Sequence, residues 1–147
     1  LLGNGMWRDA RETNVLDGGA PNYNTYETAD GKFVAIGSIE PQFYAMLMEA
    51  LGLAGDPAFA QDADPARWPE LRARIRGIFL TRTRDEWCAI MEDTDICFAP
   101  VLSLAEAPNH PHNVARGTFV VADGLVQPAP APRFLGTPAP PVRMSKR

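Results

Sequence analysis

Eight of the chain's 14 prolines fall between Pro108 and Pro141, and six of those lie in the last twenty residues. Proline holds φ near about −65° and has no N–H, so such a stretch cannot run on as a helix and offers a sheet few donors. The pattern predicts an extended strap over residues 108–147 that depends on other structure for its cover. The core must then come from what precedes it. With 147 residues, 46% of them hydrophobic, the chain is large enough for one domain and too apolar for wholesale disorder.

Before the strap the chain reads as a small α+β domain, β-β-α-α-α-β, over residues 23–107. Residues 1–22 are polar and glycine-rich and end in the breaker Gly18-Gly19-Ala20-Pro21, so they read as a connector. Asn22 to Thr28 and Lys32 to Ser38 are two alternating runs about Asp30-Gly31, a hairpin with a tight turn whose central residues favour positive φ. Pro41 suits the first position of a helix with a stripe of Phe43, Met46, Leu47, Ala50, Leu51 and Ala54, stopped by Gly52 or Gly55. A second helix is expected after Asp64, burying Trp68, Leu71, Ile75, Ile78 and Phe79. A third begins at Thr83 with Glu86 as a capping box and buries Trp87, Ile90 and Met91. Cys97 to Leu102 reads as a strand that Pro100 confines to an edge or bulge. Short helices are expected near residues 103–107 and 111–115, and a strand with a turn over Phe119–Gly124.

Several functions are disfavoured. A net charge of −4 is wrong for a general nucleic-acid binder, and Arg72, Arg74 and Arg76 read as a solvated helix face. No apolar run approaches the roughly 20 residues of a membrane span. Leu1 and Leu2 lead straight into Gly3-Asn4, unlike a signal peptide, and a start at Leu1 points to a fragment or processed product. Cys88 and Cys97 make no disulfide framework, which favours a reducing, cytosolic setting. His110 and His112 are spaced i, i+2, which suits no common metal motif, so no metal or cofactor is expected. No glycine-rich phosphate loop or nucleophile elbow is present. Cys97, in an apolar strand, reads as an inert core thiol and not as a nucleophile paired with His110. Glu40 stands where strand meets helix; it is either a capping carboxylate or a site residue held on a rigid element. Tyr23 and Tyr26 read as packing residues.

Gly19-Ala-Pro-Asn-Tyr-Asn-Thr-Tyr-Glu-Thr-Ala-Asp-Gly31 followed by Phe33-Val-Ala-Ile-Gly-Ser-Ile-Glu-Pro-Gln-Phe-Tyr44 resembles the α-methylacyl-CoA racemases of the family III CoA-transferase superfamily. Asp95–Val101 with Glu106, His110–Gly117 and Pro130–Phe134 continue the likeness in the same order. Tyr-x-Thr-x-Asp-Gly is shared across the superfamily, whereas Ile39-Glu-Pro-Gln-Phe43 points to the racemase branch.

The resemblance implies interlocked homodimers, each subunit with a Rossmann-like large domain and this small one. Residues 1–22 would lead out of the large domain, 23–107 form the small domain and 108–147 return. It implies an isomerase of lipid metabolism that inverts the carbon α to an acyl-CoA thioester by proton removal, enolate formation and reprotonation. A His and an Asp of the large domain would flank that carbon. Glu40 would reach the His of the other subunit and tune it. Tyr23, Ile39 and Leu16 would line the acyl or thioester region. The acid–base pair would lie outside this chain, which alone would be inactive. The alternatives are a family III CoA-transferase and a non-catalytic dimerisation module. Ser145-Lys-Arg147 is not a peroxisomal Ser-Lys-Leu signal, which leaves a cytoplasmic location. Cut from a large domain, the strap's apolar residues favour at least a dimer.

Overall fold

The computed structural model describes residues 2–60, 64–140 and 142. Leu1, Pro141 and the terminal Ser145-Lys-Arg147 lie outside the described residues. The chain divides into two compact units at Val101–Leu102.

The first unit is α+β, as expected. Strands β1 (Tyr23–Glu27) and β2 (Phe33–Gly37) pair antiparallel in the register Tyr23↔Gly37 to Glu27↔Phe33. Their turn differs from the expected one. Of its residues only Gly31 has positive φ, at 71°, and its N–H donates to the Thr28 carbonyl across 3.0 Å. Ala29 and Asp30 are thus the central residues, and Gly31 closes the connection in the left-handed region. Asp30 further accepts bonds from the Thr28 hydroxyl (2.7 Å) and the Arg84 N–H (3.1 Å).

The third strand of this sheet, β3 (Phe98–Val101), pairs antiparallel with β2, giving the order β1-β2-β3. Pro100 therefore lies on an edge, where its missing donor costs no ladder bond.

Helix α1 (Pro41–Ala50) buries Leu47 and Met48. It ends in a Schellman motif. Gly52, at φ 70°, donates to Glu49, and Leu53 donates to Met48 across 2.8 Å. This turns Leu51 and Leu53 into the core and leaves Ala54, expected in the stripe, exposed. Asp64 caps a 3-10 turn, Pro65–Arg67, rather than a helix, and α2 (Trp68–Phe79) follows directly. Its buried line is Leu71, Ile75 and Phe79, with Trp68 only half-buried. Helix α3 (Arg84–Met91) carries the expected capping box, with the Thr83 N–H donating to Glu86 Oε2 (2.8 Å) and the Glu86 N–H to Thr83 Oγ1 (3.3 Å). Ile90, expected inside, is exposed; its place on the inner face goes to Arg84, Trp87 and Met91.

The core of this unit lies where the sheet meets α1, α2 and α3: Tyr26, Val34, Ile36, Leu47, Ile75, Phe79, Trp87 and Ile96 pack together there. Tyr26 stacks on Phe79 at 5.1 Å between ring centroids, and Trp87 meets Phe79 edge-on at the same distance. Burying each large side chain of this cluster contributes about 1.5–3 kcal/mol.

The segment before β1 is built around Asn14, which is 4% exposed. Asn14 Oδ1 accepts the Arg8 N–H (2.8 Å), and Asn14 Nδ2 donates to Asp17 Oδ2 (2.6 Å). Gly19 is required here, since a Cβ would stand 2.5 Å from the Asn14 carbonyl oxygen.

In the second unit a 3-10 turn (Ala107–Asn109) precedes α4 (Pro111–Arg116), which Gly117 stops in the left-handed region. Strands β4 (Phe119–Ala122) and β5 (Leu125–Pro128) form a hairpin with Asp123 and Gly124 both at positive φ. The strap is thus not extended throughout: the strand and turn expected over Phe119–Gly124 form β4, and the unforeseen β5 pairs with it. Arg133 then donates to the carbonyls of Arg116 and Gly117 (2.6 Å to the latter), where the end of α4 is negative.

Candidate functional site

The junction between β2 and α1 is set residue by residue. Ser38, wholly buried, is bonded to Asn22 on one side and to Ile96 on the other. Pro41 opens α1 and disfavours the helical region for the residue before it, so Glu40 is extended, at φ −69° and ψ 143°. Between these two fixed points stand Ile39 and Glu40, both exposed.

Glu40 occupies the N-cap position, yet its carboxylate accepts no bond from the helix. Glu40's carbonyl accepts the Tyr44 N–H across 2.9 Å, but among the described residues its carboxylate makes no hydrogen bond or ion pair. The capping role weighed from the sequence is therefore absent, and the carboxylate is left for something else to meet.

Tyr23 opens β1 opposite Gly37, and a Cβ at Gly37 would stand 3.5 Å from its ring. A cleft of about 650 Å³ runs along this face of the sheet, lined by Tyr23, Thr25, Ala35, Gly37, Cys97 and Ala99, with Asp17 and Gly18 at its border. The small residues Ala35, Gly37 and Ala99 keep it open. The Tyr23–Gly37 pairing draws Tyr23 to the end of the sheet from which Ile39 and Glu40 depart. Leu16 is exposed on the loop beside Asp17; neither it nor Ile39 lines the cleft.

Sequence reasoning misjudged Cys97. It is exposed, at φ 60°, and lines the cleft just before β3 instead of sitting in the core within a strand. Partial desolvation, then the carboxylates of Glu40 and Asp95, push its thiol above the ordinary cysteine range. Such a thiol is a poor nucleophile but a useful marker of Glu40's charge. Asn22 and Ser38 were also missed. Their signal was slight: two polar residues facing each other just outside the hairpin.

A second hollow, of about 560 Å³, lies in the second unit and is lined by Val120, Val121, Phe134, Leu135 and Pro138. Among the described residues that line it, Arg133 is the one charged group. Among the described residues no three His, Cys, Asp or Glu side chains are grouped to hold a metal ion, and no helix is long and apolar enough to cross a membrane.

Over 138 residues the chain is 46% identical to mouse α-methylacyl-CoA racemase, covering 93% of this chain and 36% of that protein. The human racemase is 45% identical over 137 residues, with 92% and 36% covered. A Caenorhabditis elegans CaiB/baiF CoA-transferase family protein is 35% identical over 119 residues, with 81% and 33% covered. The chain thus spans about a third of the length of these relatives. Among solved structures it is similar in fold to Rv3272 from Mycobacterium tuberculosis, with a TM-score of 0.67, 16% identity, and 82% of this chain and 36% of that one covered. The sequence profile of CoA-transferase family III matches residues 3–147, and by that match together with these likenesses the chain belongs to CoA-transferase family III.

Proposed function

We propose that this chain is the small-domain part of an α-methylacyl-CoA racemase and supplies Glu40 to its active site. The observation that carries the reading is the Glu40 carboxylate, presented at a rigid strand–helix junction with no hydrogen bond or ion pair to a described residue. Identity of 45–46% to the two mammalian racemases supports the choice of reaction.

In this reading a large domain contributes a His and an Asp on opposite faces of the substrate's α-carbon. One removes the proton, the thioester carbonyl takes up the charge as an enolate, and the other returns a proton from the opposite side. Glu40 enters from the partner subunit of an interlocked homodimer and accepts a bond from the imidazole. That bond orients the ring and favours its protonated form. Tyr23 and Ile39, with Leu16 on the neighbouring loop, flank the acyl chain. The enzyme acts on branched acyl-CoA in lipid metabolism in the cytoplasm and needs no cofactor, and the chain alone does not catalyse.

The test is α-proton exchange on a 2-methylacyl-CoA in D₂O, with the chain alone, the full-length enzyme and its Glu40→Gln variant. Exchange confined to the full-length enzyme and reduced by the substitution is the expected result. Exchange by the chain alone, or exchange indifferent to Glu40→Gln, contradicts it. The nematode relative, named for CoA transfer, favours a second reading in which the full-length enzyme moves CoA to a free acid. Transfer from a CoA donor without α-proton exchange would select it.

A further inference from the structure

We propose that Ser38, held by Asn22, is a positioning residue for Glu40. The inference deepens the reading above and rests on it.

Ser38 is 0% exposed, and each of its hydrogen-bonding groups is committed. Its N–H donates to the Asn22 carbonyl across 3.1 Å, and its carbonyl accepts from Asn22 Nδ2 across 2.7 Å. Its hydroxyl donates to the Ile96 carbonyl. Asn22 directly precedes β1, and Ile96 lies two residues before β3. One residue therefore ties the end of β2 to both neighbouring strands, by its backbone to Asn22 and by its side chain to Ile96.

The backbone ladder cannot make the second tie. The β2–β3 register ends at Ile36↔Phe98. Cys97, at φ 60°, then turns its chain away, and the last main-chain bond is Gly37 N–H to the Cys97 carbonyl at 2.9 Å. The Ser38 N–H is already taken by Asn22, so only its hydroxyl is left to meet Ile96. Along β2 the inward positions are Val34, Ile36 and then Ser38. An aliphatic residue would continue that row, but it would leave a buried carbonyl unsatisfied.

Two residues separate this knot from α1. The Ile39 N–H bonds the Gly37 carbonyl at 3.0 Å in a tight turn, and Pro41 holds Glu40 extended. No cap bond holds the carboxylate, so the place from which it reaches out is set by the backbone that Ser38 anchors. A displacement of the junction passes directly to the carboxylate, where an error of about 1 Å can cost up to a hundredfold in rate.

The test is a cycle in the full-length enzyme, reading α-proton exchange against pH for Ser38→Ala, Glu40→Gln and the double variant. Ser38→Ala is expected to lower kcat about tenfold with little change in KM, and to move the pH profile toward that of Glu40→Gln. The double variant is expected to be no slower than Glu40→Gln alone, because the hydroxyl acts through the carboxylate. Losses that multiply would overturn the inference while leaving Glu40's own role intact. A Glu40→Gln variant with full exchange would remove both. If Ser38→Ala does not fold, Asn22→Ala decides through the same cycle. It deletes the Nδ2 contact from a half-buried position, and multiplying losses there overturn the proposal equally.

Discussion

The Tyr26 hydroxyl donates to the Pro21 carbonyl across 2.6 Å, so one side chain fills the core against Phe79 and also fastens the loop before β1 to the sheet. Pro21 is itself buried. Tyr26→Phe keeps the ring and strands the carbonyl, a loss of about 1–2 kcal/mol in urea unfolding. Burial, slightly opposed by Arg72, drives the phenol's ionisation far above its ordinary range. The folded pKa is raised, so stability is unchanged below about pH 10 and falls above it as the unfolded chain ionises first. Urea midpoints at pH 8 and pH 11 should show this loss, and it should shrink in Tyr26→Phe.

Glu40→Gln should leave the stability of the chain within about 0.5 kcal/mol, because the exposed carboxylate caps nothing. A capping carboxylate would cost about 0.5–2 kcal/mol when lost. Thermal unfolding of the two proteins separates these outcomes, and a drop of the larger size would restore Glu40 to the role of a cap.

Acid should loosen the turn and the start of α3 together. The Thr28 hydroxyl and the Arg84 N–H hold Asp30 below the usual carboxylate range, and bonds from Thr83 do the same for Glu86. Both folded pKa values are lowered, so their stabilisation is present above about pH 4 and lost as pH falls through the folded values. Asp30→Asn with Glu86→Gln should flatten the acid limb of a stability–pH curve.

Cys97 reports on Glu40. Its thiolate is opposed by that carboxylate, so Glu40→Gln should lower the thiol's pKa and speed its alkylation by iodoacetamide at neutral pH. The pH dependence of labelling at Cys97, followed by mass spectrometry, checks this. An unchanged profile would mean the two groups do not sense each other.

In the second unit Val121, Leu125, Phe134 and Leu135 are open to solvent, Leu135 completely. Exposed apolar residues on this scale drive association. The chain should be at least a dimer by light scattering, and Leu135→Glu with Phe134→Ser should shift it toward the monomer.

Local features were legible in the sequence. Thr83 and Glu86 announced the start of α3, Gly52 or Gly55 the end of α1, and Asp30-Gly31 the hairpin, because each is decided within a few residues. Ile90 and Ala54 were misplaced because periodicity shows a stripe without showing which neighbours cover it. β5 was hidden by the prolines around it, although Asp123-Gly124 marked its turn. Glu40's place between strand and helix could be read from Pro41, but its lack of a capping bond could not. The backbone turn at Cys97 went unseen because no glycine marks it. The Ser38–Ile96 bond was invisible for a different reason: its partners are 58 residues apart.

That separation also orders events in time. The hairpin closes over a few residues, whereas β3 must cross the whole helical stretch before it reaches β2, and long loops close late. The Ser38 hydroxyl finds its acceptor only then. Pulse-labelled amides should therefore show protection at Thr28 and Gly31 before Gly37, whose N–H finds its acceptor only at Cys97, which makes a settled junction before Glu40 the mark of a chain that has finished folding.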